Sequence, residues 1–336
     1  MSVKLLRMDH LHLLIPDLFP PQEIAAEVCA GLHLPALEKL LARASALTLP
    51  AITLEDSLCA CFGARAVAPV RAAADGLDAG DGYWLCADPV NLQLQRSEML
   101  LFPDVALGGD EAAALCASLN EHFADPEMKF HAPHPQRWYV QLQAAPQLVT
   151  TPLKRAAWRD AKFHQPQGAD ALRWQRISTE VQMALYAHPV NRAREARGDL
   201  IVGSLWWWGG GHAVELRSPF DAVGGDSAIG HAFAQAAGVP LSAGMQELLQ
   251  GESANALCLN EAMSDAQQRG DYHAWREAMR GFDRDCALLW QALRAGRLQR
   301  LTLEVPGENG LRRFELTRAS TWRLWRPLRS LPHYAV

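Results

Sequence analysis

The stretch HPVNRAREARGDLIVGSLWWWGGGH, residues 188–212, compresses a helix, a stop and a strand into one run. Pro189 suits the first turn of a helix, where its missing N–H is not needed, and Gly198 suits the left-handed residue that ends one. Ile201–Trp207 then reads as a strand, with Trp206 and Trp208 on one face and Trp207 on the other. Three rings at a strand end fit packing beneath a domain interface better than stacking on a ligand. Gly209, Gly210 and Gly211 read as a turn that permits close backbone approach. Such a sequence marks where an α/β sheet opens onto a ligand, because ligands bind outside the carboxyl ends of strands. Asn191 lies one turn from Arg194 and Glu195, and amide and guanidinium donors together suit a phosphate or carboxylate oxygen. An Arg–Glu ion pair to a neighbouring element is the competing reading. The run lacks the G-x-G-x-x-G order, so it is no dinucleotide fingerprint.

Working outward, the 336 residues are long for one compact unit and point to two lobes or a core with an insertion. Apolar residues make up 49% and charged residues 21%, the composition of an ordinary globular protein. A net charge of −5 gives no overall basic field, so nucleic acid is not an expected partner. Arg312, Arg313, Arg318, Arg323, Arg326 and Arg329 crowd the carboxyl end, where they read as a solvated face with rim ion pairs. The opening MSVKLLRMDHLHLLIPDLF breaks its apolar run with charged and His residues, so no signal peptide is read. No stretch approaches a membrane span either. Seven scattered cysteines read as reduced, buried thiols, and the expected location is cytoplasmic.

His10–Ile15 reads as a buried strand that stops at Pro16–Asp17, and an acidic residue there is placed to ligate a metal or merely to cap the loop. Helices are expected over Leu34–Ala46 and Thr53–Phe62, followed by an Ala/Gly/Asp-rich connection over 64–82. Tyr83–Leu94 reads as strand, turn, strand around Asp88–Pro89. A helix over Asp110–Phe123, a strand over Arg137–Leu142 and a helix over Asp170–Ala187 follow. Beyond them come a helix over Asp226–Ala237 capped by Asp226, a strand at Asn255–Leu259 and a helix over Asp271–Ala295. Asn309–Gly310 signals a hairpin between Leu301–Val305 and Leu311–Leu316. Gly224–Gly225 ahead of Asp226–Ser227 fits a phosphate at a helix start and an ordinary turn equally. The expected layout is a core over 1–78 and 191–336 with an inserted α+β domain over 79–190.

The run L-x-x-HPVN-x-x-R-E-x-x-G followed by SLWWWGGG resembles the archaeal-type cofactor-independent phosphoglycerate mutases of the alkaline-phosphatase superfamily. With YWLCADPVNL, RWYVQL and STEVQM it is more similar to a proteobacterial family labelled phosphoglycerate mutase or regulatory protein of the pathogenicity-factor E (RpfE) type. LPALEKLLARA also resembles a helix of the mutases. The resemblance implies an α/β fold with an alkaline-phosphatase-like core sheet flanked by helices and an inserted α+β domain. It also implies a divalent metal, Mn or Zn, in any active form.

Departures from the family pattern are extensive. The mutases end their first strand in a metal-binding Asp-Gly pair; here the run is IPDLF, and only Asp17 carries over. Their helix-start serine nucleophile falls near Leu54–Glu55, with Thr53 and Ser57 as imperfect stand-ins. The late Asp-His metal ligands would follow Leu301–Val305, where the chain instead reads PGENG. Three readings stay open. The leading one is a degenerate, non-catalytic regulatory or metabolite-binding relative that needs no cofactor, a pseudoenzyme. Its pocket for a phosphorylated or carboxylate ligand is formed by Arg137, His188, Asn191, Arg194 and Gly209–Gly211. The second is an active metal-dependent mutase or phosphatase with an atypical ligand set, such as Asp17 with His10 or His12. The third is a scaffold whose tryptophans and terminal arginines meet a protein partner. No membrane association is expected in any of them.

Overall fold

The computed structural model describes residues 7–307 and 309–335. Residues 1–6, the opening of the run read for a leader, Glu308 in the PGENG run, and Val336 lie outside the described residues. Strands among those described are β1 (Met8–Leu14), β2 (Ser45–Leu49), β3 (Tyr83–Gln95), β4 (Glu98–Phe102), β5 (Met128–His134) and β6 (Arg137–Leu142). They continue with β7 (Ser204–His212), β8 (Ala222–Gly225), β9 (Leu241–Ser242), β10 (Asn255–Leu259), β11 (Leu298–Val305) and β12 (Leu311–Thr317). The fold is mixed α/β with a large central sheet flanked by helices. By packing, the chain falls into two units, one of residues 1–62 with 216–336 and one of residues 63–215.

The first unit is built on a seven-stranded sheet in the order β2-β12-β11-β1-β10-β8-β9. β11, β1, β10, β8 and β9 run parallel, and on one side β12 pairs antiparallel with both β11 and β2. Leu11, Leu13 and Ile15 of the first strand region join Leu301, Leu303 and Phe314 on one face, packed with Trp275, Met279 and Phe282 of helix Tyr272–Ala295. Burial of these side chains on both sides of a parallel sheet is what makes such strands near-continuously apolar. On the other face Phe62, which ends helix Leu54–Phe62, meets Phe220 and Phe233 at ring-centroid distances of 5.9 and 5.4 Å. Where the chain re-enters the unit, Arg217 N–H donates to the Phe62 carbonyl at 2.9 Å.

The second unit centres on the 13-residue strand β3, which pairs with β6, β4 and β7. Asp88–Pro89, read from sequence as a turn, lies inside this one strand. β6 pairing ends at Cys86 and β4 pairing begins at Asn91, so Pro89 falls where no second neighbour asks for its missing N–H. The unit begins at Gly63 and ends at Glu215, wider than the 79–190 expected. The 64–82 connection holds helix Val67–Ala74, whose side chains are buried almost all round and so lack the periodic pattern that marks a surface helix. The helix Pro189–Arg197 has Pro189 at its first turn and Gly198 as its left-handed stop, as read.

Candidate functional site

β7 corrects the reading of its glycines, because Gly209, Gly210 and Gly211 continue the strand and form no turn. Cys86 pairs with Trp208 and Trp84 with Gly211, so Gly209 and Gly210 together oppose Leu85. Gly209, at φ +66°, is the left-handed first residue of such a bulge. A Cβ at Gly210 would lie 2.5 Å from the Tyr83 hydroxyl, and one at Gly211 would collide with the Ala66 Cβ. Close packing, not ligand approach, accounts for these two glycines.

The donors expected to form an anion pocket have internal partners. Asn191, 1% exposed, donates from Nδ2 to the Leu185 and Val202 carbonyls, both at 2.8 Å, and accepts from Val202 N–H at 2.9 Å. Arg194, 2% exposed, donates to the Leu200 carbonyl at 2.8 Å, to Glu111 Oε2 at 2.5 Å and to the Val105 carbonyl. Burial raises the Glu111 pKa, but the Gly108 amide and the two arginines outweigh it and hold the carboxyl below its usual value. His188 caps its own helix by accepting from Val190 N–H, and its Nε2 meets Ser118 Oγ at 2.9 Å. Arg137 grips Asp75 with two nitrogens at 2.9 and 2.6 Å. Of the competing readings for this helix, the Arg–Glu tie is the one observed.

Beside these residues lies a polar network that sequence reasoning missed. Arg71 of helix Val67–Ala74 donates to both carboxylate oxygens of Asp88, at 3.0 and 2.5 Å, and to the Tyr139 hydroxyl at 3.0 Å. Asp88 also accepts from Trp208 Nε1 at 2.8 Å and Trp138 N–H at 3.2 Å. Tyr139 passes the chain on to Asp75 at 2.5 Å. The Arg71 guanidinium sits 5.0 Å from the ring centroids of both Tyr139 and Trp208. Trp207 turns to the opposite face, against Trp174 at 5.0 Å, and donates to Ser178 Oγ at 2.8 Å. No local pattern could announce Arg71 and Asp88, which are 17 positions apart on different elements.

In the first unit, the carboxyl ends of the parallel strands carry Asp17 after β1, Asp226 after β8 and Asn260–Glu261 after β10. Asp17 has φ +53°, an uncommon conformation for any residue but glycine. Its carboxylate accepts from Ser264 Oγ at 2.6 Å and Gln267 Nε2 at 3.4 Å, and its carbonyl from Trp275 Nε1 at 3.2 Å. Asp226 accepts from Glu261 N–H at 2.8 Å. The cap of the following helix is Ser227, which accepts from Gly230 N–H at 3.1 Å, and not Asp226 as expected. Gly225, at φ +110°, must be glycine, because a Cβ there would run into the Leu259 carbonyl.

The remaining candidates hold other partners. Thr53 Oγ1 donates to Asp56 Oδ2 at 2.8 Å and accepts from Asp56 N–H at 3.0 Å, an ordinary helix start. Ser57 donates to the Thr53 carbonyl at 3.0 Å. His10 Nε2 lies 2.9 Å from Thr302 Oγ1, while His12 Nε2 lies 3.1 Å from Glu304 Oε2, which shares its carboxylate with Arg313. Asp17 and the two histidines share none of these partners. Among the described residues, no three His, Cys, Asp or Glu side chains gather as a metal would require. The donor set does not fit the two-metal centre that the family resemblance implies. Among the described residues no cysteine is in a disulfide, and burial pushes the Cys59 and Cys61 thiols up to about 12. Among the described residues, no helix is long and apolar enough to cross a membrane.

No protein-family model matches the chain, and no curated protein does. Among solved structures it is similar to the PH0037 protein of Pyrococcus horikoshii, with a TM-score of 0.59 at 12% identity, over 93% of this chain and 88% of that one. It is also similar to a cofactor-independent phosphoglycerate mutase from Thermoplasma acidophilum, with a TM-score of 0.48 at 11% identity, over 92% and 90% of the two chains. At 12% identity it is the fold, and not the chemistry, that the likeness to the PH0037 protein carries.

Proposed function

We propose that this chain is a degenerate phosphoglycerate mutase-like protein that acts by binding or regulation rather than by metal-dependent phosphoryl transfer. The observation that carries this reading is that, among the described residues, no three metal-ligating side chains gather, while the candidate groups after β1 and β8 and at the start of helix Leu54–Phe62 hold partners of their own. Asp17 is held by Ser264 and Gln267, Asp226 by the Glu261 amide, and Thr53 by Asp56. Phosphoryl transfer through two metal ions needs carboxylates and histidines converging on a shared point beside an activated nucleophile. Here each candidate is engaged locally, and the hydroxyl nearest the family's nucleophile position serves a helix start. The motifs at 83–94, 137–142 and 178–211 support kinship with the mutase-like class. Asn191, Arg194 and Arg137 within those motifs work as internal ties, which supports retention of the scaffold without its pocket.

The direct test is a mutase assay with phosphoglycerate and a phosphatase assay with a generic phosphomonoester, each with Mn²⁺ or Zn²⁺ added. The expected result is no turnover above the metal-only blank. Metal-dependent turnover that disappears in Asp17→Ala would overturn the proposal in favour of an active enzyme with an atypical ligand set.

A further inference from the structure

Near the carboxyl end of the first unit, the segment RASTWRLWRPLR at 318–329 has four arginines and no carboxylate. It is no loose tail. Ser320 and Thr321 are buried at its start, and Leu331 and Tyr334 are buried just beyond its end. Between these anchors the segment is laced to the end of helix Pro35–Arg43. Arg323 donates to the Arg43 carbonyl at 3.2 Å and to Ser45 Oγ at 2.9 Å, Arg326 donates to the Ala44 carbonyl, and Arg43 donates to the Arg326 carbonyl. Cationic groups at a helix carboxyl end meet the negative pole of its dipole, which favours this lacing.

The lacing turns the segment inside out. With Arg323 and Arg326 drawn inward, Trp322, Leu324, Trp325 and Leu328 are 62, 70, 77 and 52% exposed. The same chain buries Trp84, Trp138, Trp174 and Trp275 almost completely, so it has the means to hide large rings. Arg294 lies over the Trp322 ring at 5.8 Å and adds a further cation beside the patch. Among the described residues, Arg318, Arg323, Arg326 and Arg329 have no carboxylate partner, so the positive charge stays uncompensated.

We infer that this strap is a docking surface for an acidic protein segment bearing apolar side chains. Exposed Trp and Arg side by side is the composition of binding hot spots, where a ring fills a partner's pocket and the guanidinium meets a carboxylate. Four large apolar side chains left exposed within one laced segment mark an interaction site rather than scattered single exposure. Charge selects the kind of partner. A second copy presenting the same strap would set arginines against arginines, whereas an acidic segment complements them.

The test uses the full chain and a short fluorescent peptide that alternates Asp or Glu with Leu and Phe, read by fluorescence anisotropy. A control peptide replaces every acid with Lys, and vesicles of phosphatidylglycerol serve as an anionic lipid control. The acidic peptide is expected to bind, to weaken about tenfold or more in Trp325→Ser, and to weaken again in Arg318→Glu/Arg329→Glu. Raising salt to about 0.5 M reduces binding by screening the same charges. Thermal melts of each variant keep loss of binding separate from loss of fold. Absence of binding by the parent chain, equal binding of the Lys peptide, unchanged affinity in folded Trp325→Ser, or binding to vesicles alone would each overturn the inference.

Discussion

Residues 188–212 and 318–329 are both rich in Trp and Arg, yet the fold treats them in opposite ways. In the first, Arg194 closes onto Glu111 and two carbonyls, and Trp206, Trp207 and Trp208 each place the indole N–H on an internal oxygen. In the second, the arginines bond only to neutral groups and the rings face solvent. The difference follows from the partners each segment meets. β7 is paired along β3 and covered by helix Val67–Ala74, so any polar atom there must find a partner or pay the cost of dehydration. The strap has a neighbour on one side, and its other side is left to solvent. A residue pair that signals recognition in one setting is internal bracing in the other.

The comparison breaks first at Arg71. Replacing it with Met leaves the Asp88 carboxylate buried with two neutral donors, and the expected loss is about 3–5 kcal/mol of stability. Adding Asp88→Leu to Arg71→Met removes the stranded charge and is expected to recover part of that loss. Urea denaturation of the single and double variants measures both, and a single-variant loss below about 1 kcal/mol would mean that the network is solvated. Next, Asn191→Ala is expected to cost about 2–3 kcal/mol, because the amide joins the end of one helix to the chain entering β7. That loss should be equal with and without added phosphoglycerate; a ligand-dependent difference would return Asn191 to the role of anion contact. Gly211→Ala is expected to cost about 1–3 kcal/mol through overpacking against Ala66.

Acid probes the rim of the same network. Burial alone would raise the Asp75 pKa, but hydrogen bonds from Arg137 and Tyr139 outweigh it and hold the carboxyl below its ordinary value of 3.8. The unfolded chain therefore takes up that proton first, and the contribution of Asp75 is complete above pH 4 and fades as pH falls below it. His134 nearby is shifted down by burial and then by Arg137, so the unfolded chain also protonates it first, from about pH 6.5 downward. Both effects point to declining stability on the acid side. Asp75→Asn should lower the melting temperature above about pH 4, where the contribution is complete, and flatten the decline below it.

Much of this architecture was legible because its signals are local. Strands at His10–Ile15 and Asn255–Leu259, the hairpin around Asn309–Gly310 and the Pro189–Gly198 helix each carry their own start, period or stop. What escaped was set by distant partners. Asp88–Pro89 has the look of a turn until Arg71 claims the carboxylate, and Arg71 sits in a stretch whose Ala, Gly and Asp content suggests a connection. The three glycines resembled a ligand loop because the bulge that needs them depends on register with β3. For the candidate site, the place of Asp17 at the end of a strand is legible in the sequence. Its actual partner, Ser264, lies 247 positions away on helix Ala262–Gln268 and leaves no local mark.

The smallest expected effect discriminates most sharply between the two Trp/Arg regions. Trp325→Ser removes a ring that is mostly in water, makes no cavity and breaks no hydrogen bond of the lacing, which runs through Arg43, Arg323 and Arg326. Stability should change by no more than about 0.5 kcal/mol. The matching change at Trp208 deletes a packed ring over Arg71 and a donor to Asp88, and is expected to cost about 3–5 kcal/mol. Urea midpoints of the two variants, taken side by side, test the contrast. A loss of 2 kcal/mol or so in Trp325→Ser would mean that the strap ring packs on its own fold, and the case for an open docking face would fall with it. A neutral Trp325→Ser beside a crippled Trp208→Ser would mean that only one of the two regions is free to meet another molecule.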